Sequence, residues 1–290
     1  MRVYNIASFS LAIFFIAALF AGVAVPTGAQ YGTIQFRYNA QHTGDYSPVA
    51  GSNVLSGKLT WSFTTGAAVL SSPAVVNDVV YVGSDDNNIY ALNATTGAKV
   101  WGYTTGDEVY SSPAVANGTV YVGSEDNNLY ALNANNGTKL WNYTTGDGVY
   151  SSPAVANGTV YVGSEDNNTY ALNATTGTKL WSFATANEVL SSPAAANGTV
   201  YVGSEDSNVY ALNAATGKVT WSFATANEVL SSPAAANGTV YVGSYDDSVY
   251  AIGNAAAATG PTPALEVGLV FAGLVFAGLV IAAYVVRRRS

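Results

Sequence analysis

Carboxylates supply most of the reactive chemistry this chain could offer, and their placement is periodic. Asp86, Asp126, Asp166, Asp206 and Asp246 recur every 40 residues, each next to a second acid. Such a ring could attract cations or basic partners through its summed field. Direct Ca²⁺ coordination needs roughly 6–8 converging oxygens, whereas carboxylates on successive turns radiate outward. Asp and Asn side chains also cap their own turns, so turn chemistry is the expected role and no metal site is assigned. The chain has no Cys, which removes disulfides, thiolate metal sites and Cys nucleophiles together. Its one His, His42, cannot build a multi-His metal site or a histidine pair within one chain. It reads as a packing or hydrogen-bonding residue, because no second ligand lies near it. A catalytic site needs base, metal and substrate contacts in different places, and five equivalent positions offer no such asymmetry. No catalytic and no cofactor-binding residue is therefore assigned, and no cofactor is expected.

The 290 residues carry 18 acids against 10 bases, a net charge of −8, and only 10% are charged at all. An average globular chain has about 25%, so Asn, Ser, Thr and Gly must supply the polar surface here. Too few cations are present to neutralise phosphates, which argues against nucleic acid as a partner.

The elements that would hold these carboxylates repeat on the same clock. Trp61, Trp101, Trp141, Trp181 and Trp221 are each 40 residues apart, and so are Pro73, Pro113, Pro153, Pro193 and Pro233 of a Ser-Ser-Pro motif. Tyr-Val-Gly-Ser begins at Tyr81, Tyr121, Tyr161, Tyr201 and Tyr241, and residues 181–204 are identical to 221–244. Stretches such as Val120-Tyr121-Val122 and Leu129-Tyr130-Ala131-Leu132 suit pleated, packed surfaces. Asn117-Gly118 between two of them is a hairpin turn signal, since a type I′ turn needs positive φ twice. No segment before the C-terminal tail has a helical period.

Four strands per unit of about 40 residues describe a β-propeller blade. The fold class is thus all-β, a five-bladed propeller of four-stranded blades. The last unit, residues 230–252, has no Trp strand, while the Trp strand Lys58 to Thr64 precedes any complete unit. Pairing the two would close the ring and remove its exposed edges; an open spiral, or several chains in a larger ring, are the alternatives. With the Ser-Ser-Pro strand innermost, the turns holding the periodic Asp and the connections after each Trp strand share one face. That face gathers 15 of the 18 acids.

The pattern Val-Tyr-Val-Gly-Ser, Asp-Asn-Asn, Tyr-Ala-Leu-Asn-Ala and Gly-x-Lys-x-Trp resembles the quinoprotein (PQQ-like) propeller repeat over about residues 58–252. Gln35 to Pro48, with Arg37, His42, Thr43 and Gly44, is similar to the segment that opens many such domains. The resemblance implies that each Trp docks between neighbouring blades, a structural role that a large aromatic body at one fixed position also suggests. It further implies enzymes that use pyrroloquinoline quinone with Ca²⁺, an aspartate base, a vicinal disulfide in many members and a tryptophan floor. Without Cys that disulfide is impossible here. The outer-membrane assembly lipoprotein of bacteria shares this propeller type, which implies a protein partner by analogy.

Both ends of the chain are apolar. Ile6 to Val25 follows Arg2 and precedes small residues near Ala29, the pattern of a secretory signal cleaved after Ala29, with an uncleaved anchor as alternative. Val267 to Val286 is long enough to cross a hydrocarbon core of about 30 Å as a helix. Arg287-Arg288-Arg289 then face the cytoplasm by the positive-inside tendency. This tail resembles archaeal surface-protein sorting tails, with Pro263-Ala264-Leu265 where those carry Pro-Gly-Phe. The expected organisation is a signal peptide and signal helix (1–29), a lead-in segment (30–57), the propeller (58–252), a linker (253–264), a transmembrane helix (265–286) and a cytoplasmic tail (287–290). Sequons at Asn93, Asn117, Asn136, Asn142, Asn157, Asn167, Asn173, Asn197 and Asn237 could be glycosylated in an exported domain. The sequence thus predicts a membrane-anchored, extracytoplasmic propeller at the cell surface. It would bind a protein or envelope partner, and cations on its acidic face, without catalysis. A quinone-dependent oxidoreductase or quinone binder, and a self-associating surface-layer component, are the other readings.

Overall fold

The computed structural model describes residues 57–253, apart from Asn237. The predicted signal, lead-in, linker and transmembrane segments, with His42, lie outside the described residues. Within them the chain is all-β, with no helix, in five antiparallel sheets taken in sequence order. The first holds β1 (Ala74–Val76), β2 (Val79–Ser84), β3 (Asn88–Asn93) and β4 (Lys99–Thr104). The second holds β5 (Ala114–Ala116), β6 (Thr119–Ser124), β7 (Asn128–Asn133) and β8 (Lys139–Thr144). β9 (Ala154–Ala156), β10 (Thr159–Gly163), β11 (Asn168–Asn173) and β12 (Lys179–Ala184) make the third. β13 (Ala194–Ala196), β14 (Thr199–Ser204), β15 (Asn208–Asn213) and β16 (Val219–Ala224) make the fourth. The fifth has three strands, β17 (Ala234–Ala236), β18 (Thr239–Ser244) and β19 (Ser248–Gly253).

Local chemistry sets each hairpin. Asn117 and Gly118 both adopt positive φ, 49° and 75°, which matches the twist of the strands they join. At the β2–β3 type of turn a single Asn, Ser or Asp takes the left-handed conformation, as Asn127 does at φ 68°. The turn after β7 needs Gly137 for two reasons. Its φ is 71°, and a Cβ there would lie 2.6 Å from the indole of Trp101.

The core lies between sheets rather than within any one of them, since each blade is only one layer thick. Ile89, Trp101 and Tyr81 of the first sheet pack with Val115, Val120 and Leu132 of the second, and the same arrangement recurs at the next junctions. Polar bonds run along the same seams. The indole Nε1 of Trp101 and the hydroxyl of Tyr81 both donate to the carbonyl of Ala134, at 2.8 and 3.1 Å. Nearer the axis, Ser111 Oγ donates to Ser151 O and Ser112 N to Ser152 Oγ, a ladder repeated at Ser151 and Ser152.

The expected closure by the N-terminal strand is not formed. Residues 58–64 belong to no sheet, and the fifth sheet ends at β19 without a fourth strand. Among the described residues the segment is held from one side only. Trp61 donates to Ala94 O at 2.8 Å and lies against Gly97, while Phe63 meets Tyr90 at 5.2 Å between ring centroids. These are the contacts a Trp strand makes with the blade that follows it. They fix the segment to the first sheet without bringing it to the edge of β19.

Candidate functional site: an acidic face with two tyrosines

Hydrogen bonds sort the loops into two faces, as the strand order predicts. The β2–β3 turns bond to the connections that precede each innermost strand, with Glu125 N donating to Glu108 O and Glu165 N to Gly148 O at 3.0 Å. The β1–β2 turns bond instead to the β3–β4 turns, Ala134 N donating to Gly118 O at 2.9 Å. The first face carries the acids. Lys99, Lys139 and Lys179 open β4, β8 and β12 at the opposite edge, and Lys218 immediately precedes β16.

Within that face the periodic aspartates act as clamps. Asp126 Oδ2 accepts from the backbone of Gly106 at 2.6 Å, across the seam from the preceding sheet, and from the Tyr130 hydroxyl at 2.7 Å. Its Oδ1 accepts from the N–H and side-chain amide of Asn128, at 3.1 and 3.0 Å. Asp86 does the same with Gly66 and Tyr90, Asp166 with Gly146 and Tyr170, Asp206 with Ala186 and Tyr210, and Asp246 with Ala226 and Tyr250. Both oxygens are thereby engaged within the protein. Burial works against the charge of Asp86, but the bonds from Tyr90, Gly66, Asn88 and Ser84 outweigh it and hold the carboxyl below the usual range. For Asp246 the Tyr250 bond is the leading cause of the same lowering. The tyrosines respond in the opposite sense. Burial, then the bond to Asp86, pushes Tyr90 up to about 12.

The acids one residue earlier behave differently. Asp85 Oδ1 and Glu125 Oε1 are buried and have no hydrogen-bond partner. Burial pushes the Glu125 carboxyl up to about 7, and the charges of Glu165, Asp107, Glu108 and Asp147 add to the effect. Glu165 is raised by burial and by Glu188, Asp147 and Glu205. Glu205 rises for similar reasons, burial first and then Glu188 and Glu228.

The blades are not equivalent at this rim, contrary to the reading of five equal positions. Gly148 stands where the other connections have Ala68, Glu108, Glu188 and Glu228. A Cβ at Gly148 would lie 2.6 Å from Glu125 Oε2 and 3.1 Å from Glu165 Oε2, so its absence lets two carboxylates approach one stretch of backbone. Beside them Tyr110 and Tyr150 replace the Leu of the other repeats and meet at 5.3 Å between centroids. Tyr150 is well exposed, while burial first and then the charges of Glu108, Asp85 and Glu125 push the Tyr110 hydroxyl up. The signal for this cluster is in the sequence, as departures from the repeat at Tyr110, Gly148 and Tyr150; alignment on the shared positions passes over it. Among the described residues no three acids or histidines converge as a metal site.

A protein-family model described as outer membrane protein assembly factor BamB matches residues 43–112, 108–192 and 185–260. The chain belongs to this family. Among solved structures, BamB from Moraxella catarrhalis superposes with a TM-score of 0.61 at 20% identity, over 68% of this chain and 62% of that one. The computationally designed Ika8 protein gives 0.58 at 17%, over 62% and 57%. The quinohemoprotein alcohol dehydrogenase ADHIIG of Pseudomonas putida HK5 gives 0.54 at 21%, over 66% and 43%. These likenesses establish the PQQ-like propeller repeat as the fold. The chain spans less than two thirds of the length of the BamB structure it matches. No curated protein matches it.

The described residues do not fit pyrroloquinoline quinone. That cofactor brings several carboxylates of its own, and among the described residues no lysine or arginine stands on the acidic face to receive them. The clamping aspartates have both oxygens occupied, and among the described residues no group of acids gathers to hold an accompanying cation.

Proposed function

We propose that this BamB-family chain is a non-enzymatic scaffold of the cell envelope, whose acidic face takes a basic segment of a partner protein over Tyr110 and Tyr150. The observation that carries the reading is the pair of half-buried Tyr110 and exposed Tyr150 set beside Asp85, Glu108 and Glu125, on a face where the described residues place no basic side chain. A lysine or arginine placed there meets both the negative face of an aromatic ring and several carboxylates. Family membership supports a role in envelope assembly, and the quinone cofactor lacks a matching charge. In this reading the N-terminal signal exports the chain and the apolar run Val267–Val286 anchors it. β19 begins at the acidic turns and ends at Gly253 at the opposite edge of its sheet.

Titration calorimetry with a Lys/Arg-rich peptide tests the site. Binding should weaken steeply with added salt and fall at least about tenfold in a Tyr110→Ala/Tyr150→Ala variant that melts normally. Equal affinity in that variant would remove the tyrosines from the proposal. Stoichiometric uptake of pyrroloquinoline quinone with Ca²⁺ and dye-linked dehydrogenase activity would replace it with the oxidoreductase reading.

A further inference from the structure

The two ends of the blade array carry complementary halves of an interface that the chain itself builds four times. At each internal junction a Val seals the Gly of the preceding Tyr-Val-Gly-Ser strand. A Cβ on Gly83, Gly123, Gly163 or Gly203 would lie 2.4–2.5 Å from Cγ1 of Val109, Val149, Val189 or Val229. Gly243 has no such cover, only Ser231 at 3.5 Å, while Val69, the same residue one repeat before Val109, is 47% exposed. The tyrosines show the same asymmetry. Tyr81, Tyr121 and Tyr161 are 3% exposed against Trp101, Trp141 and Trp181, yet Tyr241 is 45% exposed. Finally, β19 lacks the Trp strand that borders every other blade, and residues 58–64 are a Trp strand that belongs to no sheet.

We propose that a second copy of this chain completes the array: its residues 58–64 add as the fourth strand beside β19, with Trp61 seated on Tyr241 and Val69 closing over Gly243. The register follows from the fourth sheet, where Val209 pairs with Phe223 and Ala211 with Trp221. One repeat further on, Val249 faces Phe63 and Ala251 faces Trp61 of the incoming copy. Strand addition at an open edge gives the backbone bonds, and the aromatic and valine contacts give the specificity. Each copy uses a different surface at each end, so the contact is head-to-tail and propagates until rotation closes it into a ring. Continuing the repeat keeps the acidic face, and the Gly253 end of every copy, on the same sides throughout.

The absence of native Cys makes the test direct. Full-length chains in mild detergent are prepared as Phe63→Cys with one tag and Val249→Cys with another, mixed, and oxidised. A disulfide joining the two tags is expected, and a Ser182→Cys chain mixed in the same way should give none with either. Light scattering of the unsubstituted chain should show multiples of the chain mass that rise with concentration. Val249→Lys should leave single chains with an unchanged melting curve, since Val249 is 82% exposed within one chain. A disulfide that forms only inside a chain carrying both Cys residues would show self-closure and overturn the proposal. So would a single-chain mass at every concentration with no cross-linked product.

Discussion

The carboxylate of Asp126 and the backbone N–H of Gly106 lie 2.6 Å apart, 20 residues removed in sequence and on opposite sides of a blade seam. The same oxygen takes the hydroxyl of Tyr130, so one side chain ties two sheets and its own hairpin together. Ring-like repetition of acids, which suggests a place to collect cations, is thereby a row of staples.

Replacing Asp126 with Ala removes the acceptor from Gly106, Tyr130 and Asn128 at once. Hydrogen bonds to a charged group are worth about 1.5–3 kcal/mol each when well formed, less where water competes. A loss of about 2 kcal/mol is expected, seen as a melting temperature lower by about 4–8 °C. Differential scanning calorimetry checks this, and Tyr130→Phe should cost less because Asp126 keeps Gly106.

Stability should fall with rising pH through the window set by Glu125. Folding raises this acid from 4.5 to about 7, so the folded chain holds a proton that the unfolded chain has already released. The folded state is favoured on the acidic side, and the advantage drains away between those two values. Glu125→Gln should flatten the slope and raise the melting temperature at pH 8. Asp86 and Asp246 act in the opposite direction at much lower pH, where stability is lost as they gain protons.

Gly148→Ala should lower the proton affinity of Glu125 without unfolding the blade. The new methyl would meet the Glu125 and Glu165 carboxylates at the ends of flexible side chains, which can swing toward water. A carbon-detected NMR titration of the Glu side chains reads the shift; an unmoved Glu125 would mean that Gly148 does not set its surroundings.

Thr169 offers the reverse case, a substitution that should help. Its hydroxyl is fully buried with no partner, at the position held by Ile89, Leu129 and Val209 in other blades. An unsatisfied buried polar group costs about 1–3 kcal/mol, so Thr169→Val should raise stability by about 1 kcal/mol. Urea denaturation of the two proteins decides the sign.

Blade count, strand order, the type I′ turns and the division into two faces were legible from sequence because each depends on local chemistry repeated five times. The trace of Trp61 was not. The other Trp strands meet both their own sheet and the blade after it, and among the described residues Trp61 has only the second of these, through Gly97 and Ala94. The tyrosine pair was hidden for a different reason. Periodic alignment rewards what the repeats share, and Tyr110, Gly148 and Tyr150 matter because they differ.

Every seam described above joins only adjacent blades, through Trp, Tyr and Ser bonds spaced 33, 53 and 40 residues apart. Among the described residues a unit inserted or removed in frame would therefore meet the same neighbours as before. The identity of residues 181–204 and 221–244 is what recent unequal recombination of such a cassette would leave behind. An array one unit longer or shorter would keep every seam of this kind, as expected of a repeat whose stability is a sum over neighbouring units.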